Sequence, residues 1–175
     1  MSDICERTTE LLRRLKQQND EDPDHGDQEL LPADLEIPIS TLAPGVTRQL
    51  SPMLRARFAF CSTWKNANLD QNWLSLEATR HALDNPEIKE LVDLRIENWD
   101  WAPPASVKPE DCAIFSYNPY AVEETYLVWE SEQEEPIVWR FFSAEYYKFA
   151  DLNRFLEYLI GERMVDDSGR VTAEP

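Results

Sequence analysis

The sequence predicts an α+β fold in which an antiparallel or mixed sheet with a C-terminal hairpin packs against several helices. Three segments rich in aromatic and β-branched residues predict strands at 111–117, 123–130 and 136–142. Elsewhere, apolar residues at helical spacing predict the helices. With 175 residues, of which 42% are hydrophobic and 11% aromatic, the chain has enough material for one well-filled core.

Four segments show the apolar spacing of an amphipathic helix. They are residues 3–18, 72–83, 87–98 and 152–163. The third begins beside Pro86, because proline suits the first turn of a helix, and the fourth follows Asp151, a residue type that caps helix N-termini. The short apolar run at 58–61 fits either a buried strand or the middle of a helix.

The predicted strands at 123–130 and 136–142 form the clearest supersecondary unit. In both segments, large apolar side chains alternate between the two faces of the strand. The connecting residues 131–135 are few and polar. The pattern therefore predicts an antiparallel hairpin.

These elements predict three parts of the chain. Residues 1–28 form an N-terminal helix and an acidic connector, in which Pro23 and Gly26 lie among aspartates and glutamates. That composition predicts a flexible, solvated segment. Residues 29–165 form a single α+β domain, and the polar residues 166–175 form a flexible tail.

The charge balance favours a basic protein as the partner and argues against direct binding of nucleic acid. The chain has 34 acidic and 17 basic residues, a formal net charge of −17 and a pI near 4.4. Such a field repels phosphate backbones and speeds encounter with cationic proteins. No run approaches the roughly 20 apolar residues of a membrane helix, and the first residues lack a secretory signal pattern. We therefore expect a cytoplasmic protein that does not bind membranes.

The residues that carry chemistry are too few and too scattered to predict an enzyme. Cys5, Cys61 and Cys112 form no paired motif, and His25 and His81 lie near neither a cysteine nor each other. Only four glycines are present, and they form no phosphate-binding loop. We expect reduced thiols that pack as small apolar groups, no metal site, no cofactor and no catalytic activity.

A hairpin with aromatic residues followed by a terminal helix spans residues 112–160. The stretches that carry this pattern are Thr125-Tyr126-Leu127-Val128-Trp129, Pro136-Ile137-Val138-Trp139-Arg140-Phe141, and Phe149 with Leu152-Asn153-Arg154-Phe155-Leu156-Glu157-Tyr158-Leu159. Leu31-Pro32-Ala33-Asp34-Leu35 adds a fainter match. The pattern resembles the C-terminal part of the SUKH superfamily, bacterial proteins best known as immunity proteins against polymorphic toxins. The resemblance implies a binding module with a mixed sheet backed by helices, and it brings no catalytic residues.

We expect the partner to bind along the hairpin, because no basic residue occurs from 121 to 135. Nuclease toxins hold phosphates with lysine and arginine, and an array of carboxylates can occupy the same positions. Exposed aromatic residues would anchor such an interface. The predicted contact residues are Glu123, Glu124, Tyr126, Trp129, Glu130, Glu132, Glu134, Glu135 and Trp139. The predicted function is therefore an immunity or inhibitor protein that neutralises a cognate toxin by occluding its basic surface.

Two other functions fit the same composition. A DNA mimic, such as an anti-restriction or anti-defence protein, would space its carboxylates like phosphates and compete with DNA for several DNA-binding proteins. A regulatory or assembly subunit would use its acidity for solubility alone. Selectivity for a single partner distinguishes an immunity protein from a DNA mimic. A neighbouring toxin gene distinguishes an immunity protein from a regulatory or assembly subunit.

Overall fold

A computed structural model describes residues 3–33, 36–97, 108–130, 133–143, 145–165 and 171–173, and within them the chain forms five α-helices and eleven strands. The helices are α1 (Asp3–Glu21), α2 (Pro52–Phe60), α3 (Leu76–Arg80), α4 (Pro86–Glu97) and α5 (Leu152–Leu159). The strands are β1 (Glu29–Leu30), β2 (Ile39–Ser40), β3 (Thr47–Arg48), β4 (Trp64–Asn68), β5 (Gln71–Trp73), β6 (Cys112–Tyr117), β7 (Glu123–Val128), β8 (Ile137–Phe142), β9 (Glu145–Phe149), β10 (Arg163–Val165) and β11 (Val171–Ala173). The predicted α+β class is confirmed.

Seven strands form one antiparallel sheet in the order β1-β4-β5-β6-β7-β8-β9. From β4 to β9 each strand pairs with the next one along the chain, and β1 adds to the β4 edge. The predicted hairpin is confirmed as β7 and β8, with Glu123 opposite Phe142 and Val128 opposite Ile137. Two small antiparallel pairs, β2 with β3 and β10 with β11, lie outside this sheet.

Helices cover both faces of the sheet, and each face has its own core. On the α5 face, α1, α2 and α5 pack against the strands, and Phe155 meets Trp73 there. On the α4 face, Val92 of α4 packs with residues of β6, β7 and β8. Because neighbouring residues of a strand point to opposite faces, Leu127 lies in the first core and Tyr126 in the second. Burial on both sides explains why these strands are so rich in large apolar residues.

Three predicted helices are confirmed, and one apolar run is resolved as helix. The confirmed helices are those predicted at 3–18, 87–98 and 152–163, which correspond to α1, α4 and α5. The run at 58–61 falls at the end of α2. α5 ends earlier than predicted because Gly161 has a φ of +77°, a left-handed conformation that favours glycine, and its N–H donates to the Tyr158 carbonyl at 3.0 Å.

The helix predicted at 72–83 is wrong. Its first residues belong to strand β5, and only α3 is helical. The Trp73 ring is buried with its centre 4.8 Å from that of Phe115, which fixes this segment in the sheet. Ser75 then starts α3, because its hydroxyl accepts a hydrogen bond from the Ala78 N–H at 3.0 Å. Burial of one large ring therefore outweighs the local helical pattern.

Residues 1–28 belong to the folded domain more closely than the sequence predicts. The apolar stripe of α1 lies in the α5-face core. In the acidic connector, predicted to be a flexible and solvated segment, the carboxylates are exposed, and two other residues contact the sheet. His25 Nε2 lies 2.8 Å from the Asn66 carbonyl oxygen, and Gln28 accepts a hydrogen bond from the Trp64 indole at 2.9 Å. At the other end of the chain, β11 pairs with β10 within the predicted flexible tail, and the rest of that tail lies outside the described residues.

A charge network joins α1, α5 and β10 around Glu157. The Glu157 carboxylate accepts hydrogen bonds from Arg154 at 2.8 Å, from Arg7 at 3.3 Å and from Arg163. Burial alone raises the pKa of Glu157, but hydrogen bonds from these guanidinium groups outweigh burial and hold the pKa below its ordinary value.

Protonation of Glu157 is expected to weaken this junction in acid. A carboxyl group whose pKa is lowered by folding stabilises the native state above its unfolded pKa, and this contribution is lost as the pH falls through the folded pKa. We expect Glu157→Gln to lower the free energy of unfolding at neutral pH by about 2 kcal/mol. The gap to the unsubstituted chain should narrow below about pH 4, as urea titrations at several pH values would show. The exposed Glu10→Gln serves as the control, and a gap that does not depend on pH contradicts the account.

Candidate functional site

The predicted acidic edge of the hairpin does not form a continuous surface. Glu123 begins β7, whereas Glu130 lies beyond its other end. At the rise of an extended chain, these two residues are about 23 Å apart. Glu134 and Glu135 lie at the same end as Glu130, and Glu132 lies outside the described residues. The predicted carboxylates are therefore divided between two ends of the sheet.

Glu124 is buried in the α4 face. Its carboxylate accepts a hydrogen bond from Arg95 Nε of α4 at 2.5 Å, and both side chains are buried. Burial raises the pKa of Glu124 more than the Arg95 guanidinium lowers it. A partner cannot reach this carboxylate without separating α4 from the sheet, so Glu124 is a structural residue and not a surface contact.

The three predicted aromatic contacts are also buried. Tyr126 and Trp139 lie in the α4-face core, and Trp129 lies in the α5-face core. The Lys148 ammonium covers the Trp139 ring at 4.9 Å, and the Arg48 guanidinium lies 6.0 Å from Trp129. These aromatic residues form the core and cannot anchor a partner, which corrects the sequence-based expectation.

The remaining predicted carboxylates differ in what they contact. Glu130 forms an ion pair with Lys148 at 2.9 Å, and Glu134 is exposed. Glu135 precedes β8, is half-buried, and lies against the first residues of α2. It accepts hydrogen bonds from the Ser51 hydroxyl at 2.6 Å and from the Met53 N–H at 3.0 Å. Glu135 therefore caps α2 from a distant part of the sequence.

Replacing Glu135 tests this capping role. We expect Glu135→Ala to lower the free energy of unfolding by about 1–2 kcal/mol, because it removes an acceptor for a helix-terminal N–H. The matched control is the exposed neighbour Glu134→Ala, which should change stability by less than about 0.5 kcal/mol. Urea denaturation of both variants measures the difference. Equal stabilities would contradict the assignment of Glu135 as a cap.

An exposed groove of about 270 Å³ lies between α4 and the turn that joins β6 to β7. We call it the Tyr120 groove. Its lining residues are Glu87, Glu90, Leu91 and Leu94 of α4 and residues 118–122 of the turn. Of the predicted contact residues, Glu123 lies next to this turn and is half-buried.

Large apolar side chains are exposed at this groove. Tyr120 is 84% exposed, Leu94 43% and Val122 40%. Nearby Leu69 is 68% exposed, and its carbonyl accepts a hydrogen bond from the Asn118 side chain at 3.4 Å. Single exposed apolar residues are common on protein surfaces, but a cluster beside a concave surface is typical of an interaction site.

Hydrogen bonds hold the turn of the Tyr120 groove in one conformation. The Asn118 carboxamide oxygen accepts from the Tyr120 N–H at 2.8 Å, and the Asn118 N–H donates to the Glu123 carbonyl at 2.8 Å. The Val122 carbonyl accepts from the Ser143 N–H at 2.7 Å. The turn therefore presents the Tyr120 ring from a preformed backbone.

The charge around the Tyr120 groove is negative. Glu87 and Glu90 are exposed, and none of the described lining residues is basic. The two basic residues of α4 are already paired, Lys89 with Asp93 on the surface and Arg95 in the core. The groove thus combines an exposed tyrosine ring and aliphatic side chains with carboxylates that have no neutralising partner among the lining residues.

Tyr120, the central residue of this surface, was not among the contact residues predicted from the sequence. Tyr120 follows Asn118-Pro119, a pair that favours a turn, and it precedes strand β7. An aromatic residue in such a turn lies outside the apolar alternation of both strands. This position was the signal in the sequence that could have indicated an exposed ring. The exposed glutamates of α4 could not be recognised from the sequence, because charged residues are common on the outer face of any helix.

Other chemical groups of the described residues are dispersed. No three His, Cys, Asp or Glu side chains in the described ranges gather in a way that could hold a metal ion. Cys61 and Cys112 are buried, and burial raises the pKa of the Cys112 thiol far above its ordinary value.

Among the described residues, no helix has both the length and the apolar character needed to cross a membrane.

Comparison of the chain with protein-family models and with curated proteins finds no match to either.

Proposed function

We propose that this protein is a non-catalytic binding module that docks a basic partner protein through the Tyr120 groove. The observation that carries the proposal is the 84% exposure of Tyr120 beside a preformed groove with a glutamate rim. Through the resemblance to the SUKH superfamily, the proposal extends to an immunity or inhibitor role, in which the partner is a toxin whose basic surface is covered.

Charge complementarity is the first argument for a basic partner. The net charge of −17 attracts a cationic protein over long distances, and Glu87 and Glu90 are positioned to meet it on arrival. Electrostatic attraction of this kind mainly raises the association rate, and salt weakens it. The same field disfavours nucleic acid as a direct ligand.

The chemistry of the groove is the second argument. An exposed tyrosine face attracts the guanidinium or ammonium group of a partner, and the phenol ring is a rigid contact with few rotatable bonds. Leu94 and Val122 provide aliphatic surface on either side of the groove for an apolar side chain. An amphipathic basic segment of a folded partner matches both features.

The test compares two double charge reversals of equal net charge. Glu87→Lys/Glu90→Lys changes the groove, whereas Glu134→Lys/Glu6→Lys changes exposed glutamates elsewhere. A partner is captured from the native host at low salt and released at high salt, and its association rate with each variant is then measured. We expect the groove variant to associate at least about 10-fold more slowly than the control variant at low ionic strength.

Equal rates for the two variants would contradict docking at the Tyr120 groove. Capture of a partner without basic character would contradict the charge argument. The immunity role has a separate test, which is whether co-expression of this chain restores growth to cells that produce the captured partner.

A further inference from the structure

Arg140 is a buried arginine that does not line the Tyr120 groove. It lies in β8 between Thr125 of β7 and Tyr147 of β9, and only 1% of its surface is exposed. Along β8, Val138 belongs to the α5-face core and Trp139 to the α4-face core. Strand alternation therefore places Arg140 on the α5 face, which is the face of the sheet opposite α4 and its groove.

One edge of the Arg140 guanidinium has no hydrogen-bond acceptor among the residues that the structure describes. In the described chain, neither Nε nor Nη2 has a hydrogen-bond partner, and both atoms are buried. These two nitrogens present parallel N–H groups, the arrangement that binds both oxygens of a carboxylate or two oxygens of a phosphate. Glu123, diagonal to Arg140 on the same face of β7 and β8, attracts the guanidinium but accepts no hydrogen bond from it. Buried N–H groups without acceptors are costly, so a ligand that supplies the acceptors gains affinity.

Aromatic rings hold the guanidinium in place. Its central carbon lies 4.2 Å from the centre of the Phe142 ring. Phe142 packs on Tyr147 with ring centres 5.4 Å apart, and Tyr147 packs on Tyr158 of α5 at 5.9 Å. All three rings are half-buried. Burial lowers the pKa of Arg140 only to about 10, and the group therefore keeps its charge at neutral pH.

Polar side chains continue from Arg140 across the sheet. Thr125 pairs with Ser116 on β6, and both hydroxyls donate to the Gln71 carboxamide oxygen, at 3.1 Å and 2.5 Å. Gln71 Nε2 is buried and has no acceptor among the described residues. The strand β6 carries a bulge between Ile114 and Ser116 at this position. A second buried donor and a local irregularity of the sheet thus occur in the same row as Arg140.

We propose that the Nε–Nη2 edge of Arg140 is a binding site for a small oxyanion with carboxylate or phosphate chemistry. The two parallel N–H groups hold the anion from one side, and the Phe142 ring fixes the plane of the guanidinium. The site is independent of the Tyr120 groove, so either proposal can fail without the other.

The test measures thermal stability of the full chain in sodium acetate, phosphate or sulfate, with sodium chloride keeping the ionic strength constant. Binding to the native state alone raises Tm with the logarithm of the anion concentration above Kd, by roughly 3–6 °C at ten times Kd for a chain of this size. Acetate and phosphate are measured separately, because a larger shift with one identifies the preferred chemistry.

Two variants of Arg140 and one control make the result specific. Arg140→Met removes the charge and should fold at least as well in chloride, because it eliminates an unpaired buried cation. Arg140→Lys keeps a charge but loses the bidentate edge. We expect both to lose the Tm shift, whereas Arg80→Met, on the surface of α3, keeps it. The proposal is overturned if, at constant ionic strength, the unsubstituted chain shows no Tm shift with any of the anions, or if either Arg140 variant retains the full shift.

Discussion

Replacing Glu124 with alanine is expected to destabilise the folded protein by about 4 kcal/mol. The substitution leaves Arg95 buried in the α4 face without its carboxylate partner at 2.5 Å. Arg95 is held there by two further contacts, a hydrogen bond to the Ser143 carbonyl at 3.1 Å and the Phe141 ring at 4.0 Å. The guanidinium cannot reach water without moving α4. Its unpaired buried charge therefore raises the free energy of the native state. Urea denaturation followed by tryptophan fluorescence measures the loss.

A double substitution separates the cost of leaving Arg95 unpaired from the net contribution of the Glu124–Arg95 pair to stability. Burial raises the pKa of Glu124 despite the adjacent Arg95, so desolvation opposes much of the attraction within the pair. We therefore expect Glu124→Leu/Arg95→Met to lie within about 1 kcal/mol of the unsubstituted chain. A loss below about 1 kcal/mol for Glu124→Ala, or a double variant as unstable as the single one, would contradict this explanation of the Glu124–Arg95 pair.

Replacing Tyr120 with alanine is expected to weaken partner binding at least about 30-fold, which corresponds to about 2 kcal/mol. The phenol ring is the most exposed large apolar group among the described residues, so its removal takes contact area from the interface and little from the core. The loss should appear mainly as faster dissociation, because truncation of a contact side chain changes residence time more than encounter. Surface plasmon resonance with the captured partner resolves the two rates.

Tyr120→Phe is the matched control for this prediction. It keeps the ring face and removes only the hydroxyl, so we expect binding within about 3-fold of the unsubstituted chain. Both substitutions should leave the free energy of unfolding unchanged within about 0.5 kcal/mol, because the side chain is exposed. Wild-type dissociation rates for Tyr120→Ala would remove Tyr120 from the interface.

The hairpin and the terminal helix could be predicted from the sequence because each follows a local rule. β7 and β8 alternate large side chains at period two, and α5 has a capping aspartate, an apolar stripe and a glycine that ends it. The strands β4 and β5 were missed because they are short, and they contain polar residues such as Asn68 and Gln71 that the fold buries. Their place is fixed by contacts with distant parts of the chain, including Trp73 with Phe155.

The Tyr120 groove could not be predicted because the sequence gives the sign of a charge and not its exposure. Glu123 and Glu124 are adjacent, so strand alternation sends them to opposite faces, and of the two only Glu124 forms an ion pair with a buried arginine. Arg95 lies at helical spacing with Ile88 and Val92 on the buried face of α4, but this spacing does not identify the carboxylate that it meets. The Tyr120 groove depends on α4 lying beside a turn from a distant part of the sequence.

Docking at the Tyr120 groove is tested by hydrogen exchange of this chain, free and bound to the captured partner. We expect slower exchange of backbone amides in residues 118–122 and along the exposed face of α4, with Tyr120→Ala reducing the protection at equal concentrations. Protection confined to other surfaces, such as the β2–β3 pair or the start of β8, would show that the partner docks elsewhere and would contradict the account.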